Sequence, residues 1–240
     1  MKKSAMIQFD RVSKRYPSGQ QALQNISFEL DRGEFTFLTG HSGAGKSTLL
    51  KLVLGLDKAS AGIVTVAGHN IVQLTPEKTA ARRRIIGAVF QDHQLLSDRT
   101  VFDNVALPLE ISGFSQRELR SRVRAALDKV GLLRVEKAMP AGLSGGQQQR
   151  IGIARAIVNS PSIILADEPT GNLDSALSNE IMDLFTQFKS LGVCVLVASH
   201  DKHLINRFSQ RTLVLKDGNL IADIPGEQGE TACAKDQTKQ

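Results

Sequence analysis

The segment GHSGAGKS at residues 40–47 constrains this chain more than any other feature, because it matches the phosphate-loop pattern G-x-x-x-x-G-K-[ST]. An apolar stretch at 34–39 precedes it and predicts a buried strand, and the stretch at 48–54 predicts a helix. The glycines allow loop amides to converge on one anion, since no Cβ obstructs the turn. The helix that begins near Lys46 adds the positive end of its dipole. The segment therefore predicts a phosphate site between a strand and a helix.

Two side chains of this segment have distinct expected roles. Lys46 is expected to reach the β- and γ-phosphates of a nucleotide, and the Ser47 hydroxyl is expected to ligate magnesium. The alternative is a glycine-rich turn without a ligand, against which the flanking strand and helix argue. The nucleotide contacts expected from this segment are Gly40, His41, Ser42, Gly43, Ala44, Gly45, Lys46, Ser47 and Thr48.

Composition excludes several classes of protein. Of the 240 residues, 41% are hydrophobic and 22% are charged, as is ordinary for a soluble globular protein. The apolar stretches are shorter than the roughly 20 residues that span a bilayer, and no signal-peptide apolar region follows the first residues. We therefore expect a cytoplasmic location. The two cysteines, Cys194 and Cys233, indicate neither a disulfide framework nor a metal site.

The net charge of +6 is concentrated between residues 113 and 160. A basic surface of this kind could meet nucleic acid, anionic lipid or an acidic partner, or could be a solvated helical face. Phe114 is the only aromatic residue in this stretch. Because base stacking needs aromatic side chains, no nucleic-acid partner is expected.

A second candidate anion site begins with LSGGQQQR at residues 143–150. Ser144 occupies a position suited to capping a helix that runs through residue 157, and the two glycines after it leave backbone amides exposed. The alternative is an ordinary capped helix that follows a glycine turn.

Two predicted buried strands end in side chains suited to catalysis. The stretch SIILADE at 162–168 ends in Asp167, an expected magnesium anchor beside a phosphate loop. Glu168 comes one residue later and is expected to point away from Asp167, as alternate residues of a strand do, where it could polarise an attacking water. His200 ends another buried strand, at the edge where ligands bind in open α/β sheets. The alternatives are a solvated strand end and a structural histidine.

The rest of the chain divides into four regions. Residues 6–30 are predicted to form strands at 6–9 and 24–30, and Tyr16 lies in a turn between them, where it could stack on a purine or simply pack. A strand at 85–90 ends at Gln91, and helical periodicity dominates from about 95 to 158. A hairpin is predicted at 212–221 with its turn at Asp217 and Gly218. The polar tail at 225–240 is expected to be disordered.

In this order and spacing, the motifs resemble the ATP-binding-cassette ATPases over about residues 6–224. The resemblance implies an α/β fold, that of a P-loop NTPase with an antiparallel β subdomain and a helical subdomain at about 95–158. It implies that the ligands are ATP and Mg²⁺, with Tyr16 stacked on adenine. The magnesium ligands that it implies are Ser47, Gln91 and Asp167, and the catalytic residues are Lys46, Glu168 and His200.

The same resemblance implies an ATP-dependent, head-to-tail homodimer. LSGGQ of one copy would cover the ATP that GHSGAGKS of the other copy holds. The nucleotide contacts that this arrangement implies are Ser144, Gly145, Gly146 and Gln147.

The resemblance also implies a membrane partner. ADEPTGNLD at 166–174 is similar to the group of these ATPases that serves lipoprotein-releasing, macrolide-efflux and cell-division systems. FLTGHSGAGKSTLLKL and QDHQLLSDRTVFDNVALPL are most similar to the cell-division members. That similarity implies an integral membrane FtsX-type subunit, peripheral attachment to the cytoplasmic side of the bacterial inner membrane, and regulation of septal cell-wall hydrolases. The alternative is a lipoprotein-releasing or efflux system.

Two further alternatives belong to other functional classes. DNA-repair and chromosome ATPases with the same nucleotide head carry long insertions between the phosphate loop and LSGGQ, and the interval from Ser47 to Leu143 is too short for them. The other alternative is a nucleotide-dependent scaffold that does not hydrolyse ATP. The presence of both Glu168 and His200 argues against it.

Overall fold

The computed structural model describes residues 5–73, 76–92, 94–171 and 173–226. The strands in this part of the chain are β1 Ala5–Arg15, β2 Gln21–Asp31, β3 Phe35–Thr39, β4 Ala61–Val66, β5 His69–Asn70, β6 Ile86–Val89, β7 Ile163–Asp167, β8 Cys194–Ala198, β9 Arg211–Lys216 and β10 Asn219–Ile224. The α-helices are α1 Lys46–Val53, α2 Pro76–Arg83, α3 Val101–Ile111, α4 Gln116–Lys129, α5 Gly145–Ile157, α6 Ser175–Ser190 and α7 Lys202–Phe208. Short 3₁₀ turns lie at Ile71–Gln73, Leu133–Val135 and Pro140–Gly142.

The larger sheet has six strands in the order β10-β9-β3-β8-β7-β6, and only the edge strand β10 is antiparallel to its neighbour. Strands β7 and β8 are continuous apolar runs, because elements cover both faces of a parallel sheet. Ala198 at the end of β8 lies opposite Leu38 of β3 and Asp167 of β7. The carboxyl ends of these three strands therefore meet at one edge of the sheet.

The smaller sheet is antiparallel, with the order β2-β1-β4-β5. Its central strand β1 is longer than the predicted 6–9, because a bulge interrupts the alternation on which that prediction depends. The pairing register with β2 shifts between Phe9 and Val12, and Arg11 in the interval has a φ of 47°. Phe9 packs in one buried cluster with Leu49 of α1, so this sheet lies over the phosphate-loop helix.

The helices α3, α4 and α5 pack against one another. Capping boxes start all three of them, Thr100 with Asp103 at α3, Ser115 with Glu118 at α4 and Ser144 with Gln147 at α5. The buried face of α4, which includes Leu119, is the apolar face that the sequence predicts. The predicted fold class, α/β with an antiparallel β region and a helical region, is thus confirmed, whereas the limits of the subdomains stay a prediction.

Some predictions concern residues that the structure does not describe. Of the tail predicted from residue 225, residues 227–240 lie outside the described ranges, and so does Cys233. Cys194 is a buried, free thiol. Among the described helices, none combines the length and the apolar character that crossing a membrane requires.

Candidate functional site

The phosphate-loop segment joins the end of β3 to the start of α1. Gly40 and Gly45 have φ values of +153° and +109°, in the range that favours glycine. A Cβ on Gly45 would lie 2.6 Å from the Ala22 carbonyl oxygen, and one on Gly40 would lie 2.3 Å from that of Leu215. A Cβ on Gly43 would meet nothing within 4 Å among the described residues. The loop is therefore packed tightly on its inner side and open around Gly43.

Lys46 folds back over this loop. Its Nζ donates to the Gly40 carbonyl oxygen at 2.6 Å and to the His41 carbonyl oxygen at 3.2 Å. The N-cap of α1 is Gly45, which has no side chain that could occupy the first-turn amides. The loop therefore presents a cation and a helix N-terminus together, an arrangement suited to binding an anion.

The turn between β9 and β10 supports the loop from outside. His41 Nε2 lies 3.1 Å from Asp217 Oδ1, and the Gly218 N–H donates to the Ala44 carbonyl oxygen at 3.2 Å. The sequence predicts His41 as a nucleotide contact and residues 217–218 as the turn of a hairpin, but it does not predict that His41 and this turn touch. That contact depends on how β9 aligns with β3, which no local pattern encodes.

A cleft of about 600 Å³ opens beside the loop. The residues that line it are Tyr16, Gln20, Ala22, His41, Ser42, Gly43, Ala44, Gly45, Lys46, Ser47, Thr48, Gln91, Asp167, Glu168 and His200. Most of the residues predicted for the site are thus brought together, although Gly40 packs behind the loop. Gln20 and Ala22 were not predicted. The Gln20 carbonyl oxygen accepts from the Tyr16 N–H at 2.9 Å. Gln20 therefore belongs to the turn that the sequence predicts around Tyr16, and that turn could have indicated Gln20 as a cleft residue.

Tyr16 lies at the end of this cleft nearest α1. The ring is half-buried, and its hydroxyl oxygen is 3.3 Å from Thr48 Oγ1. The Lys14 ammonium lies 4.8 Å from the ring centroid. A ring fixed in this position can stack on a flat aromatic ligand.

Glu168 and His200 form a hydrogen-bonded pair at the edge where β7 and β8 end. His200 Nδ1 lies 2.8 Å from Glu168 Oε1, and the exposed fractions of these side chains are 73% and 12%. Glu168 was expected to point away from Asp167, but both residues line the same cleft. The reason is that β7 ends at Asp167 and Glu168 has a φ of +48°, so strand alternation no longer applies.

Three oxygen donors in the cleft fit a magnesium ion. The Ser47 hydroxyl, the Gln91 amide and the Asp167 carboxylate all line the same space. Magnesium prefers oxygen ligands and usually takes only one or two protein carboxylates beside phosphate oxygens and water. The donor set therefore suits magnesium that arrives with a phosphate ligand.

The LSGGQ segment lies at the start of α5. Ser144 N–H donates to Gln147 Oε1 at 3.0 Å, and Gln147 N–H donates to Ser144 Oγ at 3.3 Å, which makes a capping box. A Cβ on Gly146 would lie 2.9 Å from Leu177 Cδ2. Residues 144–147 are absent from the described lining of the cleft. Within one chain, the structure does not bring them together with Lys46, and their contact with nucleotide stays a prediction.

Comparisons with known proteins agree with this geometry. Residues 23–171 match the family described as ABC transporter. The chain is 58% identical over 222 residues to the cell division ATP-binding protein FtsE of Escherichia coli strain K12, which covers 92% of this chain and 100% of that protein.

Two solved structures of the ATP-binding cassette MJ0796 are also similar. The first, a dimeric structure of this ABC transporter cassette, has a TM-score of 0.86 and 39% identity, and the match covers 91% of this chain and 97% of that one. The second, a dimeric post-hydrolysis state bound to ADP and Pi, has a TM-score of 0.85 and 38% identity with the same coverage of 91% and 97%. The chain therefore belongs to the ABC transporter family and is one of its ATPases.

Proposed function

We propose that this chain is the ATP-hydrolysing subunit of a membrane complex that acts in bacterial cell division. The observation that carries the division role is the 58% identity that extends over the whole length of Escherichia coli FtsE. The aligned stretch is the whole of that relative and is not confined to the residues of the nucleotide cleft. The cleft geometry carries the chemistry of the reaction.

ATP would lie along the cleft, with adenine at Tyr16 and the phosphates at the loop. The Lys46 ammonium, 2.6 Å from the Gly40 carbonyl oxygen, would reach the β- and γ-phosphates. The first-turn amides of α1 add further donors. Magnesium, held by Ser47, Gln91 and Asp167, would neutralise charge on the β- and γ-oxygens when bound.

Glu168 would orient the attacking water and accept its proton. The hydrogen bond of 2.8 Å to His200 Nδ1 supports this role, because it fixes the Glu168 carboxylate at the end of the cleft. Water oxygen would bond to the γ-phosphorus as the bond to the β–γ bridging oxygen breaks, which gives ADP and phosphate. His200, largely exposed beside Glu168, would contact the γ-phosphate.

A second copy of the chain would complete the site. The capped N-terminus of α5 offers the Gly145 and Gly146 amides to an anion, yet lies apart from the cleft of its own chain. In a head-to-tail homodimer, Ser144 and its neighbours would cover the γ-phosphate of the other copy. The dimeric form of the MJ0796 cassette supports this arrangement.

The subunit would attach to the cytoplasmic side of the inner membrane through an integral membrane FtsX-type partner. There, ATP hydrolysis would be coupled to regulation of septal cell-wall hydrolases. Co-purification from detergent-solubilised host membranes tests this part of the proposal. Recovery of an FtsX-type subunit would support the division role, whereas a lipoprotein-release or efflux subunit would replace it.

The chemical proposal is tested with Glu168→Gln. We expect kcat to fall on the order of a hundredfold or more, because a preorganised catalytic group is lost, while ATP binding and an ATP-dependent dimer persist. Glu180→Gln, a matched change at an exposed position of α6, should retain wild-type turnover. Wild-type turnover in Glu168→Gln would refute the assigned role of Glu168.

A further inference from the structure

A partly buried ion pair lies beside the Tyr16 ring. The Lys14 ammonium contacts Asp57 Oδ1 and donates to the Lys58 carbonyl oxygen at 2.8 Å. The exposed fractions of the Lys14 and Asp57 side chains are 10% and 24%. A lysine is rarely buried in this way unless it is paired. We refer to Lys14 and Asp57 together as the Tyr16 clamp.

Contacts hold the tyrosine both at its ring and at its hydroxyl. The Lys14 ammonium lies 4.8 Å from the ring centroid, within the range of a cation–π interaction. At the other end, the Tyr16 hydroxyl contacts Thr48 Oγ1 at 3.3 Å. Partial burial acts to raise the pKa of Asp57, but hydrogen bonds from Lys14, the Lys58 N–H and the Tyr16 hydroxyl outweigh it, so this pKa lies below its ordinary value.

The position of the clamp separates it from the nucleotide. Tyr16 and Thr48 line the cleft, whereas Lys14 and Asp57 are absent from its described lining. Lys14 belongs to β1 of the antiparallel sheet, and Asp57 follows the phosphate-loop helix α1. The clamp therefore connects the turn that contains Tyr16 to the segment that follows α1, the helix that begins at the phosphate loop.

We propose that Lys14 and Asp57 are positioning residues for the nucleotide base, which hold the Tyr16 ring at a fixed distance from the phosphate loop before ATP binds. This inference rests on the proposed function, in which Tyr16 stacks on adenine. Without the clamp, the ring must be ordered during binding, and that cost weakens ATP affinity. Because the clamp joins β1 to the segment after α1, whereas Glu168 follows β7, we expect the effect on KM and not on kcat.

The test compares purified full-length variants by steady-state ATP hydrolysis, with inorganic tripolyphosphate as a competitive inhibitor that has no base. Lys14→Met should raise KM for ATP roughly five- to tenfold, the size expected when a desolvated cation–π contact and its ordering are lost. Both kcat and the inhibition constant of tripolyphosphate should stay within about twofold. Lys51→Met, on the exposed side of α1, is the matched control and should leave KM unchanged.

Further variants separate the possible outcomes. Tyr16→Ala should raise KM, and adding Lys14→Met to it should raise KM no further, whereas Lys14→Arg should recover most of the affinity. If Tyr16→Ala raises KM and Lys14→Met does not, the clamp is refuted and adenine stacking stands. If Tyr16→Ala leaves KM unchanged, the stacking role fails and the clamp fails with it. Equal weakening of ATP and tripolyphosphate would identify Lys14 as merely structural. Should Lys14→Met not fold, Asp57→Asn decides by the same readouts.

Discussion

Asn104 holds the segment that follows Gln91 against helix α3. The side chain is fully buried, and its Oδ1 accepts from the Leu96 N–H at 2.8 Å. Its Nδ2 lies within hydrogen-bond distance of three carbonyl oxygens, those of Leu96 at 3.0 Å, Arg99 at 3.2 Å and Thr100 at 3.0 Å. One side chain therefore forms hydrogen bonds with several backbone groups of the turn that leads into α3. We predict that Asn104→Ala destabilises the protein.

The size of the effect follows from counting the groups left without a partner. In Asn104→Ala, the Leu96 and Thr100 carbonyls keep hydrogen bonds from the Arg99 N–H at 3.3 Å and the residue-104 N–H at 3.0 Å. The Leu96 N–H and the Arg99 carbonyl lose the partner they have among the described residues. Leu96 and Arg99 are exposed residues, so water can partly replace the lost partner, and each group costs near the lower end of the roughly 1–3 kcal/mol for an unpartnered polar group. With the small cavity that replaces the buried amide, we expect a loss of about 2–3 kcal/mol in the free energy of unfolding.

Thermal unfolding and amide hydrogen exchange check this prediction. At about 2–4 °C for each kcal/mol in a chain of this size, Tm should fall by roughly 5–10 °C. The Leu96 amide should exchange faster, because its acceptor is gone. Asn206→Ala, at an exposed position of α7, is the control and should leave Tm unchanged. A Tm within about 2 °C of wild type for Asn104→Ala would refute the count of unpartnered groups.

Three other variants test buried or strained positions. Burial raises the pKa of the Cys194 thiol to about 12. In a Cys233→Ser background, iodoacetamide at about pH 8 should therefore alkylate the folded protein at least roughly a hundredfold more slowly than the urea-unfolded protein. Similar rates for the folded and the unfolded protein would contradict this prediction. Because the folded pKa of Asp57 is lowered, its stabilising contribution is present above about pH 4 and is lost as pH falls through the folded value. Urea unfolding should therefore show Asp57→Asn less stable than wild type at neutral pH, and the difference should shrink as pH falls below about 4. Gly45→Ala should lose about 1–3 kcal/mol of stability through backbone strain, and the clash of its new Cβ with the Ala22 carbonyl oxygen should add to this loss. Gly142→Ala is the control and should unfold like wild type, because a Cβ there meets nothing within 4 Å among the described residues.

Much of the fold could be predicted from local pattern because the relevant signals are short. The phosphate loop, the apolar strand before it and the apolar strands that end near Asp167 and His200 all lie in continuous stretches of a few residues. Parallel strands then bring their carboxyl ends to one edge without further information. The length of β1 could not be predicted, since the bulge at Arg11 breaks its alternation.

The parts of the site that could not be predicted depend on contacts between segments far apart in the chain. His41 meets Asp217 only because β9 pairs with β3, and Asp57 meets Lys14 only because α1 packs under the antiparallel sheet. The prediction for Glu168 depended on strand alternation, which does not extend to this residue, because β7 ends at Asp167 and Glu168 has a left-handed backbone. Local periodicity describes neither pairing across a sheet nor the conformation of the first residue after a strand.

The capping box at α5 indicates how Ser144 could cap its own helix and also bind a phosphate held by a second copy. In the structure, the Ser144 hydroxyl oxygen accepts from the Gln147 N–H at 3.3 Å, which uses one of its two lone pairs. Its O–H takes no part in this hydrogen bond and is free to donate elsewhere, and a donor is what an anionic phosphate oxygen requires. In the proposed homodimer the helix would therefore not lose its cap when nucleotide binds, because the two roles would use opposite ends of the same hydroxyl. A site that is divided between two copies in this way can keep each half folded and capped before the two copies associate.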